Sequence, residues 1–236
     1  MKYNLENFIE KYSEKKKETK TYNVYFIADT HINHKSILHY QPNRIRDLHL
    51  KGEDDVDGMD EYIYNMWDDM VKRGDHVYLL GDVFLGNQDG ARKCIQRLKK
   101  KGANLHLIVG NHDRNIPQFY TQFASIDYIK SVTFKKSFFT FLDEDFMVCL
   151  CHYPMISWIN KSKGAALVYG HVHSDYPFLD EETDDLMVNV GFDAPLSNYK
   201  LISLEQLWKY FKDKRGDLTA NEYVNKIREK NPKFVG

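Results

Sequence analysis

The sequence predicts an α/β layered fold, and two observations support this prediction. In the first half of the chain, three strand-like apolar segments alternate with two amphipathic helical segments, which is typical of layered α/β proteins. In the second half, short strand-like segments follow one another with few helices between them, which predicts a second, largely antiparallel sheet. With 236 residues, 42% of them hydrophobic, the chain can bury the core that such a fold needs.

The elements of the first half follow from residue type and spacing. Stretches rich in aromatic and β-branched residues predict three strands: 22–28, 76–80 and 103–109. Apolar residues at helical spacing predict two helices: 59–72 and 89–102, the second ending at Gly102 behind a run of lysines. The segment between the first strand and the first helix, QPNRIRDLHLKGEDDVD at 41–57, predicts a polar loop.

The second half begins with strand-like residues on both sides of a DED sequence, which predicts a hairpin turn at 143–145. Further strands are predicted in three stretches: AALVYGHVH, DLMVNVG and YKLISL. Two helices at 204–213 and 219–230 end the chain. We therefore expect an N-terminal helical arm at 1–21 and one domain at 22–236 with C-terminal helices.

Charge, hydropathy and cysteine content predict which partners the protein has and where in the cell it is located. A net charge of −1 gives no overall field that favours nucleic acid or an anionic membrane. No apolar stretch is long enough to span a bilayer, and the first twenty residues are too polar for a signal peptide. Three cysteines without a disulfide pattern predict a reducing, cytoplasmic setting, with Cys149 and Cys151 as buried structural thiols.

Residues of metal-ligand type follow nearly every predicted strand. The strand-terminal residues are Asp29, His31, Asp82, Asn111, His112, Asp113, His152, His171 and His173. Each motif alone is weak, since Asp-x-His and Gly-Asp are common in turns. Together they place five of the ten histidines where strands end and loops converge to build sites, which favours a metal site.

The ligand types indicate which ions such a site would hold. Carboxylates, imidazoles and an amide oxygen suit Mn²⁺, Fe²⁺ or Zn²⁺, of which we expect Mn²⁺. More residues of ligand type follow the strands than one ion needs, so the sequence predicts two ions. Two ions about 3.5–4 Å apart can stabilise both the attacking and the leaving oxygen of a phosphoryl displacement.

The ordered series Asp-x-His, Gly-Asp, Gly-Asn-His-Asp, a strand-terminal His and Gly-His-x-His resembles the calcineurin-like metallophosphoesterase superfamily over about residues 22–203. The first block, D-T-H-x-x-H-K, is similar to that of compact bacterial and phage-type members. The resemblance implies a four-layer α-β-β-α sandwich, in which two mixed β-sheets pack face to face between helices. It also implies that the site lies at one edge of the sheets.

The resemblance further implies roles for these residues. Asp82 would bridge two sets of metal ligands: Asp29, His31 and His173 for one ion, and Asn111, His152 and His171 for the other. A water or hydroxide between the ions would be the nucleophile. His112 would be the general acid that protonates the leaving oxygen, and Asp113 would orient it.

One departure from the resemblance narrows the expected function. Protein Ser/Thr phosphatases resemble G-D-x-V-D-R-G at the second block, whereas this chain reads GDVFLGN, which argues against that activity. Phosphate must then be held by other residues, for which the candidates are His34, Arg44, Arg46 and Arg114. For each arginine, a solvated surface role is an equal expectation. Aromatic and proline residues after His152, including Trp158, are expected to form a wall for a base or aryl group.

The predicted function is hydrolysis of small phosphodiesters or phosphomonoesters, with nucleotide-type diesters favoured. Alternatives are a nuclease, which the low net charge disfavours, and a catalytically silent scaffold, which the filled ligand positions disfavour. A small-molecule phosphoesterase should keep its activity on a small diester at high salt, which separates it from a nuclease. Metal analysis together with hydrolysis of an aryl phosphodiester separates an enzyme from a scaffold.

Overall fold

Two β-sheets and their flanking helices make up the protein in a computed structural model that describes residues 22–113, 117–176 and 178–230. The described strands are β1 (Val24–Ile27), β2 (His76–Leu79), β3 (Asn104–Ile108), β4 (Ser125–Asp127), β5 (Ile129–Phe134), β6 (Phe146–Cys151), β7 (Ala166–Tyr169), β8 (Met187–Asn189) and β9 (Ile202–Ser203). The described helices are α1 (Ile37–Tyr40), α2 (Asn43–Asp47), α3 (Val56–Met70), α4 (Gln88–Lys99), α5 (Phe178–Glu181), α6 (Leu204–Arg215) and α7 (Ala220–Lys230). Short 3-10 turns lie at Pro117–Gln122 and Lys161–Lys163.

The first sheet has the order β4-β3-β2-β1-β9, and the second has the order β5-β6-β7-β8. In the first sheet, β1 to β4 are parallel, and β9 is antiparallel to β1. In the second sheet, β5 is antiparallel to β6, and β6, β7 and β8 are parallel. Both sheets are therefore mixed. The prediction of two mixed sheets with flanking helices is confirmed.

The strands β1, β2 and β3 of the first sheet are largely buried on both faces, and their side chains alternate between two cores. Phe26 and Ala28 belong to a cluster that also contains Val148 and Val168 of the second sheet, so the two sheets pack face to face there. Ile27, by contrast, lies in a cluster with residues of α3 and α4 on the outer face. α6 and α7 complete the cluster between the sheets, through residues such as Trp208 and Ile227.

The prediction of a largely antiparallel second sheet is wrong. Only the β5–β6 pair is antiparallel, whereas β6 pairs with β7 and β7 with β8 in parallel. Parallel neighbours need connections of about a dozen residues or more, and the segments 152–165 and 170–186 provide them. The YKLISL stretch supplies β9, which pairs with β1 in the first sheet instead of extending the second.

Two loop predictions also need correction. The segment 41–57 contains α2 and the first residues of α3, whose N-terminus is capped when the Asp55 side chain accepts a hydrogen bond from the Gly58 amide. The residues 143–145 form only part of a longer connection, 135–145, between β5 and β6. The predicted arm at 1–21 lies outside the described residues, and the single domain at 22–236 stays a prediction. Within the described ranges, no helix has the length and hydropathy required to cross a membrane.

Candidate metal centre

The polar residues predicted at strand ends meet at one edge of the two sheets. Asp29, Asp82 and Asn111 follow β1, β2 and β3, whose parallel direction brings their carboxyl ends together. His152 and His171 follow β6 and β7, which are parallel neighbours in the second sheet. The two sheets therefore present their ligand-bearing ends to each other.

The chain that leaves β8 joins the two sheets beside this edge. The Val190 amide donates to the Tyr169 carbonyl at the end of β7, over 2.7 Å. The Val190 carbonyl accepts from the Ala28 amide at the end of β1, over 2.9 Å. One residue thus hydrogen-bonds both sheets next to the first ligands, which fixes the distance between the two halves of the site.

The side chains gather into two groups suited to metal binding: Asp29, His31 and His173 in one, and Asp82, His152 and His171 in the other. Within each group the ligand atoms lie within 4.8 Å of one another. The Oδ2 atom of Asp82 lies 3.7 Å from His31 Nε2 and 3.4 Å from His152 Nε2, so this carboxylate stands between the groups. The Asn111 Oδ1 atom lies 3.2 Å from His152 Nε2, at the second group.

Two buried atoms of the first group fit the presence of an ion. Asp29 Oδ1 and His31 Nε2 are shielded from solvent and have no hydrogen-bond partner among the described residues. A buried polar atom without a partner costs free energy, about 1–3 kcal/mol, unless something else satisfies it. A divalent cation would satisfy both atoms, and the carboxylate and imidazole donors suit Mn²⁺, Fe²⁺ or Zn²⁺.

The backbone at the site is strained. The structure has ten described non-glycine residues with positive φ, and five of them are candidate ligands: Asp29, His31, Asp82, His171 and His173. Left-handed backbone is costly for residues with a side chain and clusters at functional sites. His171 and His173 consequently lie on a turn beyond β7 and reach different groups, whereas a regular strand would point both to the same side.

Two glycines allow the backbone to pass close to the carboxylates. A Cβ atom on Gly110 would collide with Asp82 Oδ1, and one on Gly170 would lie 2.6 Å from Asp29 Oδ2. There is therefore a steric reason for glycine at the first position of the Gly-Asn-His-Asp block and of the Gly-His-x-His block. Each leaves room for the carboxylate of another block.

Two imidazoles are held with Nε2 directed to the site. The Nδ1–H of His152 donates to the Leu80 carbonyl over 2.8 Å, and the His173 Nδ1 atom lies 3.1 Å from an oxygen of Asp193. Metal-binding histidines ordinarily donate their second ring N–H to a carbonyl or carboxylate in this way. These contacts fix the tautomer that leaves Nε2 free to bind an ion.

Asp193 is a functional candidate that the sequence reasoning missed. It is buried, and Arg44 Nε and Nη2 lie 3.0 and 2.9 Å from its Oδ2 atom. Burial alone would raise the Asp193 pKa, but the charge of Arg44 and the contact with His173 lower it to about 2. The carboxylate is thus ionised behind His173. The signal was available, because GFD follows β8 in the same strand-end pattern as the other blocks.

Arg44 does not have the position expected of a phosphate-binding residue. It is completely buried, and besides Asp193 its Nη2 donates to the Asp29 carbonyl over 2.8 Å. The N–H groups of its guanidinium therefore form hydrogen bonds inside the protein, where substrate cannot reach them. The expectation of either a phosphate contact or a solvated surface role is corrected: Arg44 lies behind the candidate ligands and hydrogen-bonds to the backbone of one of them.

Asp113 also differs from its expected role as the partner of the His112 ring. Its carboxylate accepts three backbone hydrogen bonds of 2.9 Å, from the amides of Asp82, Val83 and Gly110. It thus joins the loops that follow β2 and β3. His112 is instead held through its backbone amide, which donates to Asp82 Oδ1 over 2.8 Å.

The His112 ring lies at the mouth of the site. Its side chain is 38% exposed, and its Nε2 atom lies 3.9 Å from Asp82 Oδ2. His34 lies nearby, with its Nδ1 atom 3.0 Å from that of His31 and its ring centroid 5.6 Å from that of His112. Both histidines therefore border the space in front of the ligand groups.

The remaining candidates are placed as follows. Arg46 is exposed and forms a hydrogen-bonded ion pair with Asp47 over 2.6 Å, whereas Arg114 lies outside the described residues. Trp158 is buried against Cys149 and Cys151 and donates to the Ala165 carbonyl, so its expected role in a substrate wall is wrong. Both cysteines are free and buried, as predicted, and burial raises the pKa of each thiol.

Comparison with known proteins gives one family and several distant relatives. Residues 22–220 match the family model described as calcineurin-like phosphoesterase. The uncharacterized protein MJ1445 of Methanocaldococcus jannaschii is 26% identical over 203 residues, which cover 84% of this chain and 97% of that protein. The gene 66 protein of Mycobacterium phage L5 is 25% identical over 192 residues, which cover 73% of this chain and 87% of that protein.

A solved structure shares the fold. The protein of unknown function AQ665 from Aquifex aeolicus superposes with a TM-score of 0.59 at 22% sequence identity. The superposition covers 80% of this chain and 99% of that one. At this identity the likeness concerns the arrangement of sheets and helices.

Proposed function

Because the chain belongs to the calcineurin-like phosphoesterase family, we propose that it hydrolyses phosphate esters with two divalent ions, for which Mn²⁺ is favoured. The observation that supports this most is the position of Asp82 between two groups of carboxylate and imidazole ligands. Asp29, His31 and His173 would hold one ion, and His152, His171 and Asn111 the other. When bound, such ions neutralise charge on a phosphate and lower the pKa of water towards neutrality.

His112 is the residue best placed to protonate the leaving oxygen. Its backbone is fixed by the hydrogen bond to Asp82, and its partly exposed ring borders the space where a phosphate ester would sit. An imidazole within reach of the leaving oxygen can donate its ring proton to it as a general acid. The Asp113 carboxylate supports this function indirectly, because it holds the loop that carries His112.

The favoured substrates are small nucleotide-type phosphodiesters, with phosphomonoesters as the alternative. A net charge of −1 supplies little attraction for a long polyanion, which favours a small substrate over extended nucleic acid. His34 borders the site and is the strongest remaining candidate for a phosphate contact. Arg46 and Arg114 stay as further candidates, and the cytoplasmic location stays a prediction.

The function is tested with Mn²⁺-loaded protein and two diesters that differ in their leaving group. We expect hydrolysis of bis(4-nitrophenyl) phosphate, and about a 10²–10⁴-fold lower kcat for His112→Ala on a diester with an alkoxide leaving group. The loss on the nitrophenyl ester should be smaller, because 4-nitrophenolate leaves without a proton. Metal content should remain that of the wild type.

His76→Ala is the matched control, because His76 begins β2 at the opposite end of the strand from Asp82. Its kcat and metal content should match those of the wild type. Absence of hydrolysis by the Mn²⁺-loaded wild type contradicts the enzyme proposal. Equal rates for His112→Ala and wild type on both diesters contradict the assignment of the acid.

A nuclease is distinguished by its response to salt. We expect turnover of the small diester to persist at high ionic strength, since few charges contribute to its binding. Cleavage of long DNA or RNA that exceeds turnover of the small diester at low salt, and disappears at high salt, would favour the nuclease.

A further inference from the structure

Two exposed tyrosines lie near the metal centre, one against its ligand residues and the other against His34. Tyr153 directly follows the ligand His152 and is 43% exposed, and Tyr40 is the last residue of α1 and is 66% exposed. Large aromatic side chains that remain in solvent beside a site offer flat apolar surfaces to a ligand.

Tyr153 lies against the second ligand group. Its ring centroid lies 4.6 Å from that of His171 and 4.9 Å from that of His152, with interplanar angles of 63° and 75°. Its hydroxyl donates to Asn111 Oδ1 over 3.4 Å. These contacts hold the Tyr153 ring edge-on to the two imidazoles at the edge of the site, and part of the ring remains exposed to solvent.

Tyr40 lies on the side of the proposed general acid. Its ring centroid lies 6.5 Å from that of His34, which in turn lies 5.6 Å from that of His112. Asp82 stands between the two sides, with its Oδ2 atom 3.9 Å from His112 Nε2 and 3.4 Å from His152 Nε2. The two tyrosines are therefore at opposite ends of a series of contacts that passes through the centre.

This arrangement matches the shape of a diester, which has one substituent on each side of its phosphorus atom. The leaving group must lie on the His112 side, where it receives a proton, and hence towards Tyr40. The group that remains on the phosphate must lie on the other side, towards Tyr153.

We propose that Tyr153 and Tyr40 are stacking surfaces for the two groups of a nucleoside phosphodiester, with the retained nucleoside on Tyr153 and the leaving group on Tyr40. This inference rests on the proposed function. Stacking of bases on aromatic side chains tolerates any base, so the protein selects aromatic diesters without reading a base sequence.

The test uses two diesters with the same leaving group: thymidine 5′-(4-nitrophenyl phosphate) and methyl 4-nitrophenyl phosphate. They differ only in the retained group, which is a nucleoside in the first and a methyl group in the second. The measured quantity is the ratio of kcat/KM for the first to kcat/KM for the second. General damage to the centre lowers both values and cancels in this ratio.

We expect Tyr153→Leu to lower the ratio about tenfold, in line with the contribution of one stacked base. Tyr153→Phe, which keeps the ring and loses the hydroxyl, should retain the wild-type ratio. Tyr40→Leu should raise KM for both substrates by a similar factor and leave the ratio unchanged, because both place the nitrophenyl group on that side.

Phe138→Leu is the matched control, because Phe138 is 76% exposed in the segment that precedes β6, at the opposite end of that strand from Tyr153. Its rates on both substrates should equal those of the wild type. An unchanged ratio in Tyr153→Leu overturns the stacking proposal, and an equal fall in Tyr153→Phe assigns the effect to the hydroxyl and overturns it as well. Absence of wild-type activity on both diesters instead contradicts the proposed function.

Discussion

Two pairs of histidines lie near opposite ends of the strands of the first sheet and have very different surroundings. At the carboxyl ends of the strands, His31 and His152 approach the Asp82 carboxylate. Towards the amino ends, His76 and His106 bind each other over 2.9 Å, and His106 also contacts the Ser125 hydroxyl.

The second pair packs as aromatic rings do in a core. The His76 and His106 rings stack at 5.2 Å, and Tyr78 stacks on His106 at 4.5 Å. Both nitrogen atoms of His106 and the Nδ1 atom of His76 have partners, whereas His31 Nε2 is buried without one among the described residues. Proximity of imidazoles therefore does not by itself indicate a metal site; carboxylates beside them and unpartnered buried donors do.

The largest expected effect that tests this contrast comes from Asp82→Asn. An amide in place of the carboxylate removes the charge between the two ligand groups, so we expect loss of at least one of two bound ions. Activity on bis(4-nitrophenyl) phosphate should fall by about 10³-fold or more. Metal content measured by mass spectrometry and initial rates check both effects.

His76→Ala provides the comparison for Asp82→Asn. It removes an imidazole from the pair at the amino ends of the strands, and it should keep two ions per chain and full activity. Loss of an ion from this variant, or two ions retained by Asp82→Asn, would contradict the contrast between the two regions.

A smaller effect is expected from Asp193→Asn, which changes the support of one ligand group only. The neutral amide no longer balances Arg44 and orients His173 less firmly, so affinity for one ion should fall about 10–100-fold. The other group relies on the Leu80 carbonyl and should bind its ion as before. Calorimetric titration of metal-free protein with Mn²⁺ should separate a weakened site from an unchanged one. Equal weakening of both sites would contradict a local role.

The smallest effect concerns the pair at the amino ends and depends on pH. Burial, assisted by His76, lowers the pKa of His106 from 6.5 to about 4. In the unfolded chain, the His106 imidazole is therefore protonated below pH 6.5. In the folded protein, it is protonated only below about pH 4. The free energy of unfolding should fall by at most about 3 kcal/mol over this interval because of this residue.

Urea unfolding of metal-free wild type and His106→Gln between pH 7 and pH 4 measures this contribution. The wild type should lose more stability than the variant as the pH falls, and the difference isolates His106 from the titrating groups of the metal centre. Parallel pH profiles of the two proteins would show that the ring is protonated as readily in the folded as in the unfolded state.

The sequence was most informative where residue type and strand ends coincide. The strand-end positions of Asp29, Asp82 and His152 could be predicted because apolar runs locate strands, and parallel strands collect their ends at one edge. The two mixed sheets followed from the family resemblance. The parallel pairing of β6, β7 and β8 was not predicted, since alternation within a strand does not reveal the direction of its neighbour.

Burial and distant pairing account for the residues that were misjudged. Arg44 resembled a surface residue of a polar loop, because its partner Asp193 is 149 positions away in the chain. Trp158 and Tyr153 belong to one short segment, and no local pattern indicates that the tryptophan packs under the second sheet while the tyrosine stays in solvent. Such differences arise from tertiary packing.

The double hydrogen bond of Val190 has a consequence for how the protein folds. Since this residue joins β7 to β1, the ligands of the two sheets can meet only after the sheets have docked. A folding intermediate with a formed first sheet would carry Asp29 and Asp82 but lack His152 and His171, so it would retain metal weakly. Binding of both ions should therefore be among the last events of folding. The ions would stabilise the docked sheets after they have formed and would not direct the earlier steps of folding.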